Sequence, residues 1–390
     1  MRAPDEQVAA VVARAPADCR LRRERGDDPY IEARRAMEIC NACRYCEGFC
    51  AVFPAVTRRD QFRDGDLNYL ANLCHNCRAC FYSCPYVPPH QFGINVPRVF
   101  SQIRMRSYGA YCFPSFLARM FPGNGRIFAA TSLAGTIIAI GLALALIDRP
   151  AMLRPVLVPG DFYAIVPYRV MVCLGLGTAL WSLVALSISA RRAWIDIAAG
   201  RFATRTAVFA GIRDALSLKN LGATGNRGCN DRDERYANVR RRFHHSLFYG
   251  FMLCFASTCL ATVYAHYFGL EAPYPLASAP VQLGLWGGLA MLVGASGLIW
   301  LKATGDPALT SSEATGADYA LLLVLAAASL TGLALLCCRG TSYAGILLTT
   351  HLGVVLTFFL MVPYSKMVHG LYRLLALIYS AQERQDEGGT

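Results

Sequence analysis

Cysteine carries the first chemical signal in this chain. Eight of its sixteen cysteines fall in two runs, Cys40-Asn-Ala-Cys43-Arg-Tyr-Cys46-Glu-Gly-Phe-Cys50 and Cys74-His-Asn-Cys77-Arg-Ala-Cys80-Phe-Tyr-Ser-Cys84-Pro85. Both read C-x2-C-x2-C-x3-C, the spacing that ligates 4Fe–4S clusters in pairs, and the second adds the trailing proline. Three thiolates at intervals of three wrap a loop around three corners of one cubane. The fourth cysteine opens a helix leading away and reaches the other cluster. Cys40, Cys43, Cys46 and Cys84 are thereby assigned to one cluster, and Cys74, Cys77, Cys80 and Cys50 to the other. The first run lacks a proline after Cys50, the nearest being Pro54, which implies a looser exit turn and not a lost ligand. Zinc also uses C-x2-C pairs, usually two separated ones. Tight repetition in both runs favours clusters over zinc and over a disulfide framework.

Histidine is the second such residue. Of seven, His75 and His90 lie near the second cysteine run and read as local packing or hydrogen-bonding groups. His244, His245, His266, His351 and His369 lie in or at the ends of two apolar segments, where polar groups are costly and default to function. On one continuous helix His351 and His369 would stand five turns and about 27 Å apart on a shared face, with His245 and His266 about 31 Å apart. Pairing His245 with His369 near one membrane surface, and His266 with His351 near the other, gives the arrangement that holds two b-type haems, or one haem at the first pair alone. Rotation leaves the choice between His244 and His245 open, each departing from the face of His266 by roughly 40–60° at 100° per residue. His245 is preferred because it lies one step further into the apolar run. Arg373 and Lys366 flank His369 and either face haem propionates or snorkel to the interface.

The elements that must position these groups are helices. Short helical stretches over Glu32–Ile39 and Asp64–Leu73 suit a helical ferredoxin-type module, and few alternating β-branched runs argue for a β-rich one. Pro85, Pro88, Pro89 and Pro97 make an extended exit. A membrane span needs about 20 apolar residues; the qualifying stretches are 127–147, 168–190, 246–269, 283–301, 319–338 and 344–362, the last continuing as helix to residue 379. The expected fold is all-α: an N-terminal extension (1–30), a two-cluster domain (31–126), a six-helix cytochrome b-like transmembrane bundle (127–380) and a tail (381–390).

Composition agrees. Charged residues make up 16% of the chain, against about 25% in soluble domains, and they concentrate before residue 126. The net charge of +12 does not indicate nucleic acid, because the basic residues, such as Arg104, Arg106, Arg119, Arg126, Arg191 and Arg192, gather beside the apolar runs. That is the positive-inside pattern. The loop 191–243 carries twelve Lys and Arg residues and the connection 270–282 none. This places residues 1–126, the loop 191–243 and the C-terminus in the cytoplasm of a bacterial-type inner membrane, with Arg149 and Arg154 as exceptions. Met1–Asp28 has no apolar core of a signal peptide, and the cytoplasm keeps thiols reduced.

The two cysteine runs, the Tyr-Val-Pro-Pro-His after Pro85, Gly228-Cys229-Asn230-Asp231, Phe243-His244-His245 leading to Tyr249-Gly250-Phe251, and Pro363-Tyr364-Ser365-Lys366-Met367-Val368-His369-Gly370 together resemble the tricarballylate-utilisation (citrate-utilisation) protein B family from about residue 30 to 380. The anchor more distantly resembles the dihaem cytochrome b subunits of nitrate-reductase type. The family resemblance implies electron transfer from a separate cytoplasmic flavin-dependent dehydrogenase, tricarballylate dehydrogenase-like, into the respiratory chain.

No G-x-G-x-x-G fingerprint and no P-loop is present, so a flavin belongs to another polypeptide and the chain reads as an electron-transfer subunit of an oxidoreductase complex. The expected route runs from soluble donor through both clusters and haem to quinone. No quinone site is legible; the Glu271-Ala-Pro-Tyr274-Pro turn lies nearest the outer histidine pair. Alternative readings are a quinol-oxidising subunit feeding a cytoplasmic reductase, a transporter with a regulatory cluster domain, and a redox sensor. The substrate of the donor and any chemistry at Cys229 stay open.

Overall fold

The computed structural model describes residues 28–121, 123–146, 152–222 and 228–388, so residues 1–27 of the expected extension and Arg149 lie outside them. Among the described residues every regular element is helical, apart from one isolated antiparallel bridge between Cys229 and Ala237. Helix α1 (Pro29–Cys43) starts where Asp28 accepts a hydrogen bond from the Tyr30 N–H and Pro29 fills the first turn, both starting devices that use up orphan donors. After α2 (Val52–Thr57), α3 (Asp64–Leu73) is buried on almost every side. The short α4 (Ala79–Tyr82) precedes α5 (Val96–Tyr111), where Asn95 accepts from the Arg98 N–H. Val99, Phe100 and Ile103 of α5 close the core that α1 and α3 share.

Beyond residue 123 the chain forms α6 (Asn124–Leu146), the short α7 (Asp161–Ile165), α8 (Tyr168–Ala198), α9 (Arg205–Leu216), α10 (Val239–Tyr267), α11 (Ala279–Ala303), α12 (Ser312–Cys338) and α13 (Ala344–Met361). Six of these, α6, α8, α10, α11, α12 and α13, are long and apolar enough to cross a membrane. The chain is a multi-pass membrane protein, and the six coincide with the six apolar stretches. Several run past their apolar cores; α8 reaches Ala198, because helix continues through the basic residues at the interface. Lipid offers little hydrophobic drive for pairing, so small residues let backbones approach. A Cβ at Gly250 of α10 would stand 2.5 Å from the Met291 nitrogen of α11, and one at Gly294 would meet the Leu247 backbone.

The expected unbroken helix from 344 to 379 is interrupted. Helix α13 stops at Met361, Pro363 sits in a 3-10 turn (Val362–Tyr364), and Ser365 is extended, with φ −111° and ψ 175°. A second 3-10 turn (Lys366–Val368) leads into α14 (His369–Gly388). Proline lacks the N–H that the helix interior requires and crowds the preceding carbonyl. His351 and His369 therefore share no helical register, and the five-turn spacing between them does not exist. Helix α14 turns away to pack on α9 and α3. Residues 381–388 continue it: Glu383 accepts hydrogen bonds from Arg59 (2.6 Å) and from the Tyr69 hydroxyl (2.8 Å). The connection between α8 and α10 reaches the same place. Asn230 N–H donates to the Cys77 carbonyl at 2.9 Å, and the Tyr82 hydroxyl to that of Arg232 at 3.2 Å. The cysteine-bearing unit, this connection and α14 thus stand together at one end of the bundle.

Candidate functional site

The two cysteine loops share a backbone device. Arg44 and Arg78 each follow the second cysteine of their run and each adopts a left-handed conformation, with φ 56° and 66°; Asn76 does so as well, at 54°. For a residue with a Cβ this costs about 1–2 kcal/mol. At the first loop it is held by the Arg44 N–H closing on the Cys40 carbonyl at 2.9 Å. The reversal turns each following thiol back toward its predecessors.

The thiols gather in two adjoining sets. Cys40 feels the charge of Cys46, Cys84 and Cys43, while Cys80 feels Cys77, Cys74 and Cys50. Cys46 also feels Cys77, and Cys80 feels Cys46, so the two sets adjoin. Burial first, and mutual repulsion second, push the Cys46 thiol up to about 12; burial likewise lifts Cys77 to about 11. Iron must displace protons to bind here, as metal binding to thiols generally does. Cys50, Cys74, Cys77 and Cys80 line a small pocket with Phe49 and His75 on its wall. Backbone N–H groups point at sulfur: Asn76 to Cys74 Sγ and Tyr86 to Cys84 Sγ, both at 3.4 Å. Among the described residues no three His, Cys, Asp or Glu side chains converge as tightly as one metal ion requires. Four thiolates per set are the donors that a 4Fe–4S cluster takes, and its corners stand further apart than the ligands of one ion.

The loops differ in exposure. In the first, Arg44, Tyr45, Glu47 and Gly48 are exposed, Tyr45 by 62%. In the second, His75, Cys77, Arg78 and Ala79 are buried. His75 makes the local hydrogen bond expected of it, its Nδ1–H donating to the Leu73 carbonyl at 2.8 Å. Burial, followed by the charges of Arg373, Arg240 and His244, holds it well below the usual imidazole range. It thus lies between the second loop and the histidines of the bundle.

There the structure turns His244, rather than the preferred His245, toward His369. His244 faces His369 with ring centroids 6.4 Å apart and planes at 79°, while His245 turns to Tyr249 at 5.7 Å. Adjacent helix positions differ by about 100°, and the packing of α10 settles which one faces inward. Two imidazoles bound to opposite sides of a metal stand with centroids roughly 6 Å apart, two bonds of about 2 Å plus the ring radii. His369 donates Nδ1–H to the Lys366 carbonyl at 2.6 Å, which leaves Nε2 with its lone pair. Burial, then the charge of Arg373, holds its pKa down to about 3, keeping it in the neutral form that ligates metal. The buried Nδ1 of His244 has no hydrogen-bond partner, nor has Nε2 of His245, so the ring facing His369 is what separates the two. The inner pair fits a haem as His244 with His369.

The other pair is not assembled. His351 Nδ1 lies 3.1 Å from the Thr331 hydroxyl on α12, and its ring packs on Gly332. His266 is exposed beside Tyr267, and no contact joins it to His351 among the described residues. The residues flanking His369 are already engaged: Lys366 pairs with Asp318 at 3.2 Å, and Arg373 donates to the Cys74 carbonyl at 3.1 Å. The Tyr274 hydroxyl donates to the carbonyls of Ala261 and Leu270. Cys229 is fully buried, its thiol directed at the Leu221 carbonyl at 3.4 Å.

Residues 33–110 match the family described as the citrate utilization protein B Fer4-like domain, and residues 123–390 match citrate utilization protein B itself. The chain belongs to the citrate utilization protein B family. An Escherichia coli citrate utilization protein B is 42% identical over 359 residues, covering 92% of this chain and 93% of its own length. No solved structure matches. In this citrate utilization protein B family member, the Fer4-like match contains all eight clustered cysteines, and the longer match contains all six spans and the five histidines of the bundle. A Fer4-like module joined to membrane helices fits a membrane iron–sulfur electron-transfer role.

Proposed function

We propose that this chain carries electrons between a cytoplasmic flavin-dependent dehydrogenase and the quinone pool, by way of two 4Fe–4S clusters and b-type haem. The observation that carries the reading is continuity. The exposed first cysteine loop adjoins the buried second one, Arg373 of α14 holds the Cys74 carbonyl at 3.1 Å, and four residues earlier His369 faces His244 at 6.4 Å. Bound in these places, the clusters and haem supply one-electron redox centres. The chain's own contribution is to space them, hold them and keep water from the inner ones. Cys40, Cys43, Cys46 and Cys84 would ligate the first cluster, Cys50, Cys74, Cys77 and Cys80 the second, and His244 with His369 the haem. His266 and His351 are the residues a second haem would require. The family name points to a tricarboxylate as the donor's substrate, and the absence of a nucleotide fingerprint leaves its oxidation to the partner flavoprotein.

The test is a count of non-haem iron, acid-labile sulfide and pyridine haemochrome on one detergent-purified sample, with a reduced-minus-oxidised spectrum. About eight irons per chain with at least one haem is the expected result. Eight irons without haem would remove His244 and His369 from the route, and zinc in place of iron would overturn the reading.

A further inference from the structure

The two cysteine loops sit in opposite electrostatic surroundings. Four guanidinium groups converge on the second. Arg104 donates to the Ala71 and Cys74 carbonyls at 2.9 and 3.2 Å, and Arg373 to the Cys74 carbonyl at 3.1 Å. Arg240 donates to the Asn76 carbonyl at 2.6 Å, and Arg78 to the Asp231 carbonyl at 2.8 Å. Arg78 and Arg104 are buried, and Arg240 and Arg373 are half-buried. Among the described residues Asp231 is the one carboxylate in ion-pair reach of the four, 3.7 Å from Arg240. Two further acids act on the set from longer range, Asp306 on Arg78 and Asp318 on Arg240, and Asp318 is itself paired with Lys302 and Lys366. Four guanidinium charges thus share one carboxylate within ion-pair distance, and positive charge is in excess at this loop.

The charges around the first loop are solvated instead. Glu38 and Glu47 lie beside its ligands and are exposed. Arg35 is held by Glu32 at 2.9 Å. Arg44 is exposed as well, and water and salt screen all three of these exposed charges.

Resting on the two-cluster reading above, we infer that Arg78, Arg104, Arg240 and Arg373 set the second cluster site at a higher reduction potential than the first, so that electrons run inward from the exposed loop to the membrane. A cubane held by four thiolates is anionic and becomes more so on reduction. Cations in a poorly hydrated site favour the more negative state, and net charge and solvent exposure are established determinants of cluster potential. The step is a single electron passing from the first site to the second; no bond breaks and no proton moves, and the electron comes from the reduced flavin of the partner. Arg104, Arg240 and Arg373 also hold the backbone of the ligand loop, so their charge is fixed where the reduced state needs it. This orders the two sites and opposes the quinol-oxidising direction.

The experiment is a redox titration of the intact, iron-replete protein followed by electron paramagnetic resonance. C46S and C77S identify the two signals, since each alters one site. The second site is expected to titrate at the higher potential. R373Q and R240Q should each lower it by a tenfold or greater change in the oxidised-to-reduced ratio, ~59 mV for one electron, with the first site unmoved. R373K, which keeps the charge, should restore the wild-type value; this separates charge from loop geometry and serves where the glutamine variant loads poorly. A second site at or below the first, or glutamine variants that leave it in place, would overturn the inference. Fewer than about eight irons in the wild-type protein would instead overturn the two-cluster reading itself.

Discussion

His244 and His245 show what decides function at the scale of one side chain. They are neighbours in sequence with the same chemistry, and the structure separates them by direction alone: His244 meets His369, and His245 meets Tyr249. The expected consequence is that His244→Ala abolishes the haem signal of the inner pair while His245→Ala leaves it intact. Optical spectra and haemochrome content of the two variants, prepared side by side, check this, and equal loss in both would place the ligand elsewhere. The cysteines needed no such arbitration. Their spacing encodes which thiols can share a loop, and all eight lie within the residues that match the Fer4-like domain. Rotation about α10 was not legible, because it depends on where α11 and α13 press on it, and a stretch apolar on all sides marks no inward face.

Among elements, α14 departs most from what its sequence suggests. Apolar periodicity carries α13 onward without a visible stop, and Pro363 was the signal that it ends. The structure then commits α14 to the cysteine-bearing unit through charge. Arg59, itself 9% exposed, is held by Asp66 at 3.0 Å and by Glu383 at 2.6 Å, and Arg58 by the more exposed Glu387. Exposed pairs contribute about 0–1 kcal/mol, so Glu387→Ala should change little. Removing one partner of a buried pair leaves an uncompensated charge and costs about 3–5 kcal/mol. Asp66 remains on Arg59, which places Glu383→Ala toward the lower end of that range. Loss of Glu383 should free the C-terminal turns, and hydrogen exchange across residues 380–388 would show it as early deuteration absent from Glu387→Ala. Because α14 also supplies His369 and Arg373, the same variant should weaken haem retention without touching a ligand.

For the whole molecule, the six spans were legible from apolar runs, and the gathering of three distant segments at one end was not. Residues 28–121, the connection after α8 and α14 meet through contacts such as Asn230 with Cys77 and Glu383 with Arg59. These join positions more than a hundred residues apart, which neither hydropathy nor charge counting reports. An even number of spans already requires the segments before α6 and after α13 to lie on one side, and the structure adds that they touch. By the positive-inside bias, twelve basic residues over 191–243 against none over 270–282 predict a cytoplasmic location for that side. A fluorescent-protein fusion after Thr390 should accordingly fluoresce and a periplasm-dependent phosphatase there stay inactive. The phosphatase inserted between Pro275 and Ser278, in the α10–α11 connection, should be active. The opposite pattern would put the exposed cysteine loop outside the cell, beyond the reach of a cytoplasmic flavoprotein, and with it would fall the donor assigned to the chain.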